Sequence, residues 1–260
     1  MGVLSEQMAK AKNIPRSEQD AFAASSFQKA VEAQKNGLFD EEIAPLQVKW
    51  TDPKTQEEQT ITVSKDDGVR QGITAESLGK IRPAFSKDGS IHAGNASQIS
   101  DGAAAVLLMK RSTAQRLNQP IIGKFVQASI VGVPPLMMGV GPAAAIPVVL
   151  EKTGLDKQDV DIWEINEAFA SQCLYCINEL GLDVKKVNPK GGAIAFGHPL
   201  GVTGARQVST LLTELRRGRE RVWVSLVCVL VPVWVWLLFG LRSRMVKSGL
   251  GSMYVDYMMV

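Results

Sequence analysis

Cysteine is scarce in this chain: Cys173, Cys176 and Cys228 are the only three in 260 residues. An odd, sparse set does not make a disulfide framework, which excludes a small stapled secreted fold and fits a reducing compartment. Cys173-Leu174-Tyr175-Cys176 has the spacing of a redox or zinc pair. It sits in a helical run with no second ligand pair and no histidine nearby, so core packing is its expected role and no metal site is assigned. Charge of one sign is also lacking. The formal net charge is +3, and no basic stripe with interleaved aromatics occurs, which excludes nucleic acid as a partner. The amino-terminal MGVLSEQMAKAKN has no apolar run of the kind a secretory signal needs.

Histidine is scarcer still, at two residues, and one of them has a revealing setting: GGAIAFGHPLGVTGAR, Gly191 to Arg206. A residue before proline is kept out of right-handed helical dihedrals, and Gly197 permits close approach of backbone or ligand, so His198 is expected on a fixed turn. Beyond it, Thr203 or Gly201 opens a run with helical spacing (Ala205, Val208, Leu211, Leu212, Leu215) whose positive end faces the ring. That favours a neutral imidazole, the form required of a general base or uncharged donor. The competing reading is a histidine that merely satisfies a turn.

A composition 45% hydrophobic and 21% charged supports one large domain or two modest ones. Ser17-Glu18-Gln19-Asp20 reads as a capping box for a helix closed by Gly37. IAPLQVKW and QTITVSK flank TDPKTQEE as a hairpin, and Thr74 caps a short helix to Lys80. The run AAAVLLM, Ala103 to Met109, reads as a fully buried strand, followed by a helix capped by Ser112. IIGKFVQASIVGV is a strand, Gly141-Pro142 opens a helix, and the short strand IWEI leads into NEAFASQCLYCINELG, a helix ended by Gly181. This alternation predicts an α/β layered architecture. The pattern then breaks: Val222 to Leu241 is almost wholly apolar with arginines on both sides, and qualifies either as a membrane-spanning helix or as a strand pair.

Three segments in order, HAGNASQISDGAAAVLL (His92 to Leu108), INEAFAS (Ile165 to Ser171) and GGAIAFGHPLGVTGAR, resemble the thiolases, most closely the peroxisomal-type 3-ketoacyl-CoA thiolases, over Met1 to about Arg217. The resemblance implies a thiolase-like layered α/β fold: a loop and CoA-binding region over 1–93, a C-terminal βαβαββ half, incomplete here, over 94–217, and a hydrophobic tail unlike the family over 218–260. It implies thiolytic cleavage of 3-ketoacyl-CoA to acetyl-CoA and a shortened acyl-CoA, the acyl-CoA being substrate, with coenzyme A a second substrate, no resident cofactor, a homo-oligomer and a peroxisomal location. His198 corresponds to the histidine that activates the nucleophile and lines an oxyanion hole, and Asn166 to the asparagine that holds a water there. A helix cap is the alternative role for Asn166. Glu167 is the neighbouring carboxylate that orients polar groups. For CoA, the resemblance points to Arg70 at the adenine nucleotide with Ser77 nearby, Ala93 and Ser97 along the pantetheine arm, and Met1 lining the site.

Both family cysteines are missing from the matching positions. The nucleophile belongs to a half that would precede this chain, and Cys228 lacks the glycines of the second, acid/base motif. The expectation is therefore a thiolase-family acyltransferase that is inactive and poorly stable as an isolated chain, with apolar surface exposed at AAAVLLM and IIGKFVQ. The alternative is a non-catalytic CoA-binding or membrane-attached thiolase-derived protein, with 222–241 as the candidate anchor. A ketoacyl synthase is disfavoured by NEAFA together with GHPLG.

Overall fold

The computed structural model describes residues 1–218, 223–229, 233–240 and 257–259, with side chains to residue 218. In chain order the elements are α1 (Gly2–Ala11), α2 (Arg16–Lys35), β1 (Leu46–Thr51), β2 (Glu58–Val63), α3 (Ala75–Gly79), β3 (Leu108–Lys110), α4 (Arg111–Arg116), β4 (Gly123–Gly132), α5 (Gly141–Thr153), β5 (Ile162–Ile165), α6 (Ala170–Leu180), α7 (Ala193–Phe196), α8 (Thr203–Arg217), β6 (Trp223–Val229), β7 (Val233–Gly240) and β8 (Tyr257–Met259). Helices and strands alternate as expected of an α/β chain.

One mixed sheet carries the fold, in the order β3-β8-β4-β7-β6-β5, with β5 and β6 parallel and every other pair antiparallel. Strand alternation divides β5 between two cores. Trp163 and Ile165 join Phe22, Phe27 and Ala30 of α2, Ile146 and Val149 of α5, and Cys173 and Ile177 of α6. Ile162 packs on the other side with Val208, Leu211, Leu212 and Leu215 of α8, and with Phe125 of β4. Each apolar face is thus covered by helices, the arrangement that keeps backbone polar groups of a parallel pair out of water. The β1/β2 hairpin pairs in the expected register, Leu46 opposite Val63 and Thr51 opposite Glu58, and stands apart with its residues largely exposed.

Several local expectations give way to tertiary structure. The capping box at Ser17 does not form: α2 begins at Arg16 with Pro15 as its cap, and Asp20 turns to Arg16 and His92. Proline before the first turn presets the dihedral without needing a side-chain cap. Ser112 likewise lies inside α4, behind Lys110. At Thr74 the expectation holds, and a reciprocal pair forms, Ser77 N–H donating to Thr74 Oγ1 and Thr74 N–H to Ser77 Oγ.

AAAVLLM is not a buried strand. Only Leu108–Lys110 pairs, at the sheet's edge, and Leu107 and Leu108 are 56% and 47% exposed. An apolar run is buried only where strands and helices cover it, and the edge position leaves this one open. IIGKFVQ, by contrast, is internal: β4 lies between β8 and β7. The segment from Val222 to Leu241 is no membrane-spanning helix. Trp223–Val229 and Val233–Gly240 are antiparallel strands, Trp223 opposite Gly240. β-branched valines favour the pleated form over a helix. Val222, Leu230 to Pro232 and Leu241 lie outside the described residues, as does the side chain of Cys228.

Candidate active site

Two loops and one strap make the site. The first loop follows β5, whose last residues feed Asn166 to Phe169 before α6 begins at Ala170. The helix starts late because Phe169 is extended and forms a β-bridge to Ala96. Asn166 is therefore no helix cap. The second loop is Gly197–Pro199, which lies on an extended bridge and not on a tight turn: His198 N–H donates to Gln98 O at 2.8 Å, and His198 pairs with Ile99. Gly197 is needed twice over. Its φ is +106°, and a Cβ there would stand 2.4 Å from Ser100 Oγ. Residues 95–99 are the strap, since Asn95 O also accepts from Ala170 N–H and Ser97 N–H donates to Ala168 O.

This framework brings the two expected catalytic side chains together. Asn166 is 1% exposed, and its Nδ2 lies 3.4 Å from His198 Nε2. On the ring's other side Nδ1 is 2.6 Å from Thr203 Oγ1, the first residue of α8. With the amide donating to Nε2, that nitrogen is the bare one and Nδ1–H donates to Thr203. The helix start is thus beside the ring as expected. Burial and then the charge of Arg206 hold the imidazole pKa below its ordinary value, so the ring is neutral at pH 7.

Behind the ring, Glu167 fixes the loop that carries it. Its buried carboxylate accepts from Ser26 Oγ at 2.6 Å, Asn188 Nδ2 at 2.9 Å and Ile194 N–H at 3.3 Å. Ser26 Oγ in turn accepts from Gly192 N–H at 3.0 Å. Asn188 completes β5 as a strand would, accepting from Ile165 N–H and donating to Ile165 O. Glu167 thereby orients polar groups as expected, and burial raises its pKa against those donors.

The CoA-assigned residues fall largely on the surface. Arg70, Ser77 and Ala93 are exposed, Ser97 is half-buried beside Ala168, and the Ser77 hydroxyl is engaged in the α3 cap. Met1 lines a recess with Met8, Met138, Ala168, Phe169 and Gln172. Sequence reasoning missed Gln98, whose amide nitrogen reaches Gly68 O, Ile194 O and Ala195 O and so ties the Arg70 loop to α7. A side chain joining loops distant in sequence leaves no local pattern. Cys173 and Cys176 are buried, free thiols as expected of core residues. Burial drives the first well above the usual thiol range and the second up to about 12. Among the described residues no group of three or more His, Cys, Asp and Glu is arranged to hold a metal ion.

Glu164, two residues before Asn166, went unnoticed in the sequence. It is 1% exposed, and burial raises its pKa from 4.5 to about 7. A carboxyl that binds its proton more tightly when folded makes stability fall as pH rises between those two values. The expected loss is on the order of 3 kcal/mol across the window, and Glu164→Gln should flatten it. Urea midpoints of both proteins from pH 4.5 to 7.5 check this; parallel pH dependences would refute it.

Comparison with known proteins matches residues 1–112 to the family model "Thiolase, N-terminal domain" and residues 119–231 to "Thiolase, C-terminal domain". The second match runs past Arg217, where the resemblance was expected to end. The peroxisomal 3-ketoacyl-CoA thiolase of Yarrowia lipolytica is 58% identical over 229 residues, 88% of this chain and 55% of that protein. The Homo sapiens peroxisomal enzyme is 54% identical over 230 residues, again 88% of this chain and 54% of its own length. The chain spans about half the length of the curated relatives it matches. Among solved structures, the dimeric peroxisomal thiolase of Saccharomyces cerevisiae superposes with a TM-score of 0.83 at 52% identity, covering 92% of this chain and 58% of that one. The Bacillus anthracis acetyl-CoA acetyltransferase gives 0.84 at 42% identity, covering 92% and 59%. With both family models covering the segments that build the site, the chain belongs to the thiolase family.

Proposed function

We propose that this chain provides the His198–Asn166 half of a 3-ketoacyl-CoA thiolase centre, cleaving 3-ketoacyl-CoA with a second CoA to give acetyl-CoA and a shortened acyl-CoA. The observation that carries the reading is the neutral His198 ring, held by Thr203 on one nitrogen and facing Asn166 with the other. His198 Nε2 takes the proton of a thiol, and the thiolate attacks the keto carbon. The bond between the α and β carbons then breaks, acetyl-CoA leaving as an enolate that is reprotonated, and CoA sulfur collects the acyl group. The Asn166 amide donates to the oxygen on which negative charge develops, directly or through a water. Neither Cys173 nor Cys176 supplies the attacking sulfur, for both are buried with disfavoured thiolates. The thiol served is that of CoA or of a cysteine outside the described side chains.

For CoA we assign Arg70 to the nucleotide, Ser77 beside it, Ala93 and Ser97 to the pantetheine arm and Met1 to the lining of the CoA site, over a loop region 1–93 that precedes the catalytic half of 94–217. A planar guanidinium suits both stacking and phosphate. The relatives' names and the dimeric neighbour support a homo-oligomer in peroxisomes, and a place in fatty-acid β-oxidation is what the family resemblance implies. The test is thiolysis of acetoacetyl-CoA by purified protein, followed as loss of the magnesium-enolate absorbance, with CoA binding read separately by calorimetry. Asn166→Ala should lower kcat by about 10²-fold or more while leaving CoA affinity in place. Turnover indifferent to Asn166, or no CoA binding, refutes the reading.

A further inference from the structure

Glu164 and Arg206 are buried or half-buried, lie beside the site, and have no part in the chemistry above. Strand alternation sets Glu164 on the face of β5 opposite Trp163 and Ile165, two residues before Asn166 in the loop that follows. One turn into α8 from Thr203, Arg206 lays its guanidinium over the Phe196 ring at 4.7 Å. Its Nη1 is 3.5 Å from Glu164 Oε2, and also reaches Thr210 Oγ1 at 3.4 Å. Among the described residues neither Glu164 oxygen accepts a hydrogen bond, and Arg206 Nε is likewise without an acceptor. A structural ion pair held in a dry site is normally saturated with hydrogen bonds, because one partner repays only part of the desolvation. This pair is not. Its two members instead flank the imidazole's two supports, one beside Asn166 and one beside Thr203.

We propose that Glu164 is a positioning residue that acts through Arg206, its charge offsetting the positive potential that the guanidinium imposes on His198. The inference rests on His198 being the base of the site. With Glu164 ionised, the ring feels a partly neutralised guanidinium. With Glu164 protonated, the ring feels the whole charge and resists its own proton. The carboxyl therefore takes the proton first and keeps the base free as pH falls. Burial places Glu164's own titration at about 7, which puts it ahead of the ring on that descent. The other charges facing the carboxyl are Lys190 and Lys29, which favour its ionised form, and Glu42 and Glu167, which oppose it. Asp66 is the further acid that feels Arg206.

The experiment is an NMR pH titration of ¹³C-histidine-labelled full chain, with His198 assigned by loss of its signal in His198→Asn. The wild-type His198 shift should carry a second inflection near pH 7 from ionisation of Glu164, Glu164→Gln should remove that inflection and leave the ring's own midpoint nearly in place, and Arg206→Met should raise the midpoint. A wild-type curve without that inflection, or a His198 midpoint that is unmoved or lowered in Arg206→Met, overturns the proposal. Should Glu164→Gln not fold, the wild-type curve decides. Ionisation of Glu164 then appears as a second inflection in the His198 shift that Arg206→Met abolishes, and a single inflection overturns the proposal. Because the readout is ring protonation and not turnover, it can fail while His198 remains essential to activity, and it can hold where His198 proves dispensable.

Discussion

His198→Ala is expected to lower kcat/KM for thiolysis by on the order of 10³-fold or more while leaving the fold nearly intact, because one ring serves two purposes. As base, a positioned imidazole contributes about 10²- to 10⁴-fold. Once it holds the thiol's proton, its Nε2–H also donates to the oxygen on which negative charge develops, and one such donor is worth about 10²- to 10³-fold. The two contributions share a residue, so they do not simply multiply. The structural loss is small. The backbone N–H of residue 198 that bonds to Gln98 O survives in alanine, and the side chain gives up only the contacts to Thr203 and Asn166. That costs about 1 to 2 kcal/mol. The wild-type pH profile has a definite sign. A base held neutral by burial and by Arg206 loses activity as pH falls through a folded pKa lying below 6.5, so the acid limb lies on the acid side of that value. Steady-state kinetics from pH 5 to 8, with thermal melts of both proteins, checks all of this. A variant that keeps a tenth of wild-type activity, or one that unfolds, contradicts the assignment.

What could be read from the sequence divides along a physical line. Features encoded within one turn or one strand came through: the hairpin around Asp52-Pro53, the Thr74 cap, the proline opening α5, and the left-handed glycine end at Gly181. So did His198, because glycine and proline announce a special backbone wherever the residue ends up. Features decided by remote neighbours did not. Ser17-Glu18-Gln19-Asp20 has the spacing of a cap, but Asp20 accepts from Asn95 and pairs with His92, partners more than seventy residues away. AAAVLLM has the composition of a core strand and an edge location that composition cannot encode. Pairing likewise decides that the Trp223 segment becomes strand, through its partners β5 and β7. Within the site, Asn166 and Glu167 stand adjacent in a recognisable motif, whereas Gln98, Glu164 and Arg206 matter through contacts made between loops. The resemblance supplied order and roles, and packing supplied the electrostatics.

Gly192→Ala is expected to destabilise the protein by about 3 to 5 kcal/mol, enough to unfold a domain of ordinary stability. Backbone strain is not the cause, since Gly192 is extended. Space is. An added Cβ would lie 2.3 Å from the Glu167 carboxyl carbon and 2.5 Å from each of its oxygens. An exposed carboxylate would swing aside at little cost, but this one is 1% exposed and held by Ser26, Asn188 and Ile194. Displacing it strands a buried charge and breaks bonds worth about 1.5 to 3 kcal/mol each. It also loosens the loop that leads through α7 to His198, so activity should fall with stability. Gly79→Ala is the control, because nothing lies within 4 Å of a Cβ there, and it should be neutral within about 1 kcal/mol. The cause can be isolated by pairing Gly192→Ala with Glu167→Ala, which removes the atoms the methyl strikes. If collision with Glu167 is the mechanism, the double variant loses clearly less than the sum of the singles in urea unfolding. Additive losses would move the cause elsewhere, to Ser26 or to the loop's own conformation.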